Sequence, residues 1–179
     1  YGKMLFVNYH FLERQKVKVE VVFFNSFMAV LVYFVIVQLV GEVLASVKAV
    51  ANEARITTLK AQLTALAPSD KAQLPLLLEL ADSYLYQDPA LSEQYAKQAL
   101  PFSVQEEDDL SRARAFRLLG MSSMYQGKNN EAFTYLTQAL SAAQVTDDAH
   151  LLSICHRSIG VYYELVVDFD NAVKYYIEA

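Results

Sequence analysis

DDAHLLSICHRSIGVYYELVVDFDNAVKYYIEA, from Asp147 to Ala179, reads as two apolar-patterned helices joined by a turn at Val167-Asp168-Phe169-Asp170. Its landmarks are a large residue followed by a very small one, Ile159-Gly160, then Tyr163, Ala172, Tyr175 and Ala179. Forty residues upstream stand Leu119-Gly120, Ala132, Tyr135 and Ala139, with a turn at Gly127-Lys128-Asn129-Asn130. A further copy runs through Leu80-Ala81, Ser92, Tyr95 and Ala99, and its leading pair is displaced by one residue because the turn at Asp88-Pro89 is one residue shorter. Self-similarity at a fixed period of this size is the mark of a helical array.

The spacing predicts an all-α fold of tandem antiparallel helical hairpins over 71–179, divided as 71–104, 107–144 and 147–179. Ala81, Gly120 and Gly160 let the first helix of each hairpin approach the second, at the level of Ser92, Ala132 and Ala172. Leu77, Leu80 and Tyr84, then Phe116 and Leu119, then Ile159 and Tyr163 recur at helical spacing and would join each hairpin to the next. One hairpin alone could not bury these faces, so the copies must stack.

The pattern resembles the tetratricopeptide repeat (TPR), whose signature runs large residue, Leu-Gly, Tyr, then Ala, an aromatic and Ala. The third copy matches with Ile159-Gly160, Tyr163, Phe169, Ala172, Tyr176 and Ala179. The second follows with Leu119-Gly120, Gly127, Ala132, Leu136 and Ala139, but has Ser123 where Tyr is usual. The first departs most, with Ala81 for Gly and Ser92 for Ala. The resemblance implies a right-handed solenoid that binds a protein, a peptide or a small ligand on its concave face, uses no cofactor and catalyses nothing. On that face the first helices would present Asp82, Tyr86, Arg114, Arg117, Met121, Arg157, Val161 and Glu164. Arg114 and Arg117 lie three apart on one helical face and Arg157 follows Arg117 by forty, a row suited to a carboxylate or phosphate. The other reading is that these arginines are solvated or internally paired. The Asn and Lys pattern of the carboxylate-clamp subfamily is absent.

The forty-residue variety behind an apolar N-terminus resembles the extracytoplasmic sensor regions of bacterial diguanylate cyclases and histidine kinases. LPLLLELADSYLYQDPALSEQYAKQAL, Leu74 to Leu100, carries most of that likeness. It implies a membrane-anchored sensor module with a signalling output elsewhere in the protein. A structural scaffold of the cell envelope, or an enzyme using the groove, are the competing readings.

The apolar excess, 54% of 179 residues with a mean hydropathy of +0.18, is concentrated ahead of the repeats. VVFFNSFMAVLVYFVIVQLV, residues 21–40, carries no formal charge and as a helix would be about 30 Å long, the thickness of a bilayer core. It reads as a transmembrane or signal-anchor helix, with a buried strand pair as the soluble alternative. Lys3, Arg14, Lys16 and Lys18 precede it, so the rule that basic flanks stay cytoplasmic places the repeats in the periplasm or outside. Ala49-Val50-Ala51 offers a processing site, which leaves open a cleaved form secreted to the periplasm. Residues 1–20, opening on Tyr1, read as a leader that need not be native structure, and Ala179 falls inside a second helix, as in a piece of a longer protein.

Residues 41–68 are expected to form a linking helix. Ile56, Leu59, Leu63 and Leu66 at a/d spacing would either cap the array or pair two copies as a homodimer. The formal charge of -5, without a basic stripe along the repeats, excludes nucleic acid as a partner. Cys155 is the sole cysteine, lies in an apolar helical stretch and reads as a small buried residue. His150 and His156 are six apart and do not share a helix face, so no metal pair forms. Glu106 to Asp109, like Asp147 and Asp148, read as solvated turns that stabilise the start of the next helix.

Overall fold

The computed structural model describes residues 2–179, with side-chain environments from Val30 onward. Tyr1 and the side chains before Val30 lie outside the described residues, and with them what is expected of the leader, 1–20, beyond its backbone. The elements are α1 (Gly2–Thr64), α2 (Gln73–Tyr84), α3 (Pro89–Gln105), α4 (Asp109–Tyr125), α5 (Asn129–Ala143), α6 (Ala149–Leu165) and α7 (Phe169–Ile177). There is no strand among the described residues, so the strand alternative for the apolar run is overturned. The chain separates into two compact units, Tyr1–Ala51 and Asn52–Ala179.

In the first unit, α1 from Val30 is apolar, with a mean hydropathy of 2.2 over its most apolar window, and none of that window is buried. Among the described residues it is the one helix long and apolar enough to cross a membrane, which makes it a candidate membrane or signal helix.

In the second unit, α2/α3, α4/α5 and α6/α7 pair as successive hairpins. Leu74, Leu77, Leu78 and Leu85 of the first hairpin, Leu118, Leu119 and Leu136 of the second and Ile159 of the third form one continuous buried cluster. The small residues act as the sequence demands. A Cβ on Gly120 would stand 2.6 Å from Leu136 Cγ, and one on Gly160 would stand 2.6 Å from Tyr176 Cε1. The closest approach is therefore one turn beyond Ala132 and Ala172, which are themselves buried.

Helix starts are set by aspartates. Asp88, Asp108, Asp148 and Asp168 each accept a hydrogen bond from the backbone N–H three residues on, at Leu91, Ser111, Leu151 and Asn171. The acidic clusters at 106–109 and 147–148 thus contribute caps. Helix ends explain the one-residue displacement of the first copy. At the ends of α4 and α6, Gly127 (φ 74°) and Val167 (φ 63°) turn left-handed, and the next N–H reaches back five residues, Lys128 to Ser123 and Asp168 to Tyr163. After α2 that left-handed residue is missing and Asp88 N–H reaches only four back, to Tyr84 at 2.8 Å.

The last part of α1 covers the open side of the first hairpin. Ile56 and Leu59 are buried against Leu80, with Leu63, Leu76, Tyr84 and Tyr95 around them. Asn52 Nδ2 donates to the Ser83 carbonyl at 3.0 Å, and Arg55 pairs with Glu79 at 3.0 Å. Of the two roles expected for this stretch, these contacts are those of a cap.

Candidate functional site

A cleft of about 450 Å³ crosses the first helices of all three hairpins. Asp82 of α2 stands on one side; Leu110, Arg114 and Arg117 of α4 line the middle; Asp148, His150, Leu151 and Ile154 at the start of α6 close the other side. The aspartate cap of Asp148 fixes where α6 begins and so where His150 and Leu151 meet α4.

The cleft combines apolar lining residues, Leu110, Leu151 and Ile154, with unequal arginines. The Arg117 side chain is largely buried and reaches Asp82 at 3.5 Å, the outer limit of a hydrogen bond. Arg114 has no acidic partner within 4.0 Å among the described residues, whereas Arg112 is closed off by Asp109 of its own first turn. Arg114 is therefore the guanidinium in this cleft with its donors open to a ligand.

The structure brings together three of the eight residues expected on this face: Asp82, Arg114 and Arg117. Tyr86, 76% exposed, leans on Tyr125 with centroids 5.5 Å apart. Burial, followed by the neighbouring Tyr86, pushes the Tyr125 hydroxyl above its ordinary pKa. Arg157 is exposed but does not line the cleft. Val161 packs partly buried against the core. Glu164 accepts from the Tyr176 hydroxyl of α7 at 2.8 Å. Met121 corrects the expectation of an outward residue. It is 6% exposed and belongs to the core, because α4 is flanked by α2 on one side and α6 on the other.

Leu110, Asp148, His150, Leu151 and Ile154 were not expected in the site. The aspartates ahead of the first helices are the only sequence signal for them: Asp108-Asp109 marks where α4 starts, beside Leu110, and Asp147-Asp148 marks where α6 starts, beside His150 and Leu151. His156, in contrast, turns to α7, with Nδ1 3.2 Å from the Glu178 carboxylate and its ring 6.0 Å from Tyr175.

Cys155 is fully buried, and burial pushes its thiol up to about 11 against a smaller opposing effect from Arg117. It is an inert core residue. Among the described residues no three His, Cys, Asp or Glu side chains are grouped to hold a metal ion.

No protein-family model matches the chain, and no curated protein does. Among solved structures, the crystal structure of the TPR domain of Arabidopsis FLU is similar, with a TM-score of 0.55 and 26% sequence identity over 60% of this chain and 92% of that one. The repeat unit accordingly has a TPR-like fold, an architecture that typically serves as a non-catalytic protein-interaction scaffold.

Proposed function

We propose that residues 71–179 form a protein- or peptide-binding module whose groove on the first helices takes an extended segment bearing a carboxylate beside an apolar residue. The single observation that carries this reading is Arg114, unpaired among the described residues, standing in a cleft that Leu110, Leu151 and Ile154 also line. Arg117 has a loose hold on Asp82 that a ligand carboxylate can replace, and a planar guanidinium suits a two-oxygen partner.

Membrane anchoring through residues 21–40 would make the module the sensor part of a bacterial receptor, with the repeats in the periplasm or outside. The apolar helix from Val30 and the basic excess before residue 21 support that placement. If the segment is cleaved, the same module is a secreted envelope scaffold. The eight-residue face read from the sequence contracts in this proposal to Asp82, Arg114 and Arg117, with Tyr86 and Arg157 at its margins.

Photo-crosslinking on the 179-residue chain tests the groove. A benzoylphenylalanine at Leu110 should capture a partner in cells, and one at Thr134, exposed on α5, should not. Equal capture from both positions would remove the groove from the account.

A further inference from the structure

We infer that His150 is a further ligand-holding residue of the cleft and the one that sets its charge, so that a carboxylate is bound more tightly in mild acid than in mild base. This rests on the reading of the cleft as a carboxylate-binding groove.

The observation is a balanced lining with one undecided member. Arg114 and Arg117 of α4 meet Asp82 of α2 and Asp148 at the head of α6, so these four side chains carry no net charge. Both aspartates are engaged: Asp82 reaches Arg117, and the Asp148 carboxylate accepts from the Leu151 N–H at 2.9 Å as the cap of α6. The remaining ionisable side chain of the lining is His150, exposed in the first turn of α6. No carboxylate pairs with it among the described residues, in contrast to His156, which Glu178 holds from α7.

Histidine is the side chain whose charge ordinarily changes between pH 5 and 8, whereas aspartate and arginine are types that keep theirs over that range. Protonation of His150 therefore turns a balanced cleft into a positive one. The charged groups around it are Asp82 on α2, Arg114 and Arg117 on α4, and Asp148 with the preceding Asp147 on its own helix start. Arg112 adds nothing to this balance, since Asp109 neutralises it.

The position of the ring matters as much as its charge. His150 stands in the third copy where Leu110 stands forty residues earlier in the second, and both line this cleft. The imidazole is thus presented from α6 and the open guanidinium of Arg114 from α4, with Leu151 and Ile154 also in the lining. A carboxylate between the two helices can accept from Arg114 with one oxygen and from the imidazolium with the other. A neutral imidazole keeps one bare nitrogen, which repels a carboxylate oxygen, so protonation adds a donor as well as a charge. The coupling is reciprocal: a bound carboxylate favours the protonated ring, and binding takes up a proton. Water and salt screen an exposed side chain, which holds the effect to several-fold.

The test is affinity selection on the immobilised 179-residue chain with two libraries of decapeptide amides. Each has four random positions on either side of a fixed pair, Leu-Asp in one and Leu-Asn in the other, with acids and histidine excluded from the random positions. We expect retention of the Leu-Asp library, relative to the Leu-Asn library, to rise at least threefold from pH 8.0 to pH 5.5. In His150→Gln that rise should vanish. In His150→Lys, relative retention at pH 8.0 should already match the native level at pH 5.5. Circular dichroism of both variants should be native, because the residue is exposed. A native chain without the rise, or an equal rise in His150→Gln, would overturn the role of His150 and leave the carboxylate reading standing. A native chain that never retains Leu-Asp above Leu-Asn, at either pH, would reject the carboxylate reading and this inference with it.

Discussion

Tyr135 stacks on Phe116 with ring centroids 6.4 Å apart and planes 23° inclined, whereas its counterparts Tyr95 and Tyr175 stack on Tyr84 and Tyr163 at 5.8 and 5.5 Å. The three tyrosines of the second helices thus do the same work: each lays its ring on an aromatic of the first helix in its own hairpin. The second copy has Ser123 where the other two have tyrosine, and there the partner moves to Phe116, seven residues back along α4. Phe116→Leu should therefore cost about 1 kcal/mol through the lost ring pairing. Urea unfolding monitored by circular dichroism measures it, and a cost no greater than that of an exposed substitution would show the stacking to be incidental.

The two close-approach glycines should respond differently to alanine. A methyl group on Gly120 meets Leu136, fully buried, and comes within 3.1 Å of its backbone nitrogen. On Gly160 it meets the ring of Tyr176, which is 39% exposed and can shift toward solvent at the cost of its exposed hydrogen bond to Glu164. Alanine also gains about 1 kcal/mol of helix propensity over glycine. Gly120→Ala is expected to destabilise by about 1–3 kcal/mol, and Gly160→Ala to be close to neutral, in paired chemical denaturation curves.

Val167 holds the left-handed position that Gly127 holds in the preceding hairpin, a conformation that is strained for a β-branched residue. Val167→Gly should raise stability by about 1 kcal/mol, and Gly127→Val should lower it by a similar amount. Thermal melts of the two variants check the pair, and a loss of stability in Val167→Gly would contradict the strain.

Stability should also depend on acid through Glu93. Burial pushes its carboxyl up, but hydrogen bonds from Lys97, Lys128 at 2.9 Å and Gln126 at 2.7 Å outweigh this and hold it at about 2. A depressed folded pKa stabilises the fold above the ordinary value of 4.5, and that contribution is lost as pH falls from about 4.5 toward 2. Lys97 lies on α3 with Glu93, while Gln126 and Lys128 join α3 to the turn between α4 and α5, so the network as a whole contributes on the order of 2 kcal/mol, part of it within α3 and part between hairpins. Glu93→Gln should flatten the decline in unfolding free energy over that pH window, measured by denaturant titrations.

Much of this architecture was legible in the residues. Gly120 and Gly160 announced the close approach, and Tyr95, Tyr135 and Tyr175 announced the period, because packing at a fixed repeat leaves the same size class at the same place. The site was harder to read. Asp82, Met121 and Val161 occupy one repeat position, but Asp82 is exposed, Met121 buried and Val161 half-buried, since burial depends on what the neighbouring elements place over that position and not on the repeat register alone. Leu110 and His150 come from the first turns of α4 and α6, and only the placement of those helices shows that they face the same cleft.

The claim on which the functional account turns is that Arg114 and Arg117 read a carboxylate in the first-helix groove. Selection of a random peptide-display library on the 179-residue chain, and in parallel on Arg114→Ala/Arg117→Ala with matched melting temperature, addresses it directly. The account predicts that the native chain selects sequences enriched in Asp or Glu beside an apolar residue and that the double variant loses this enrichment. The same acidic sequences emerging from both proteins, or no acidic enrichment from either, would contradict it.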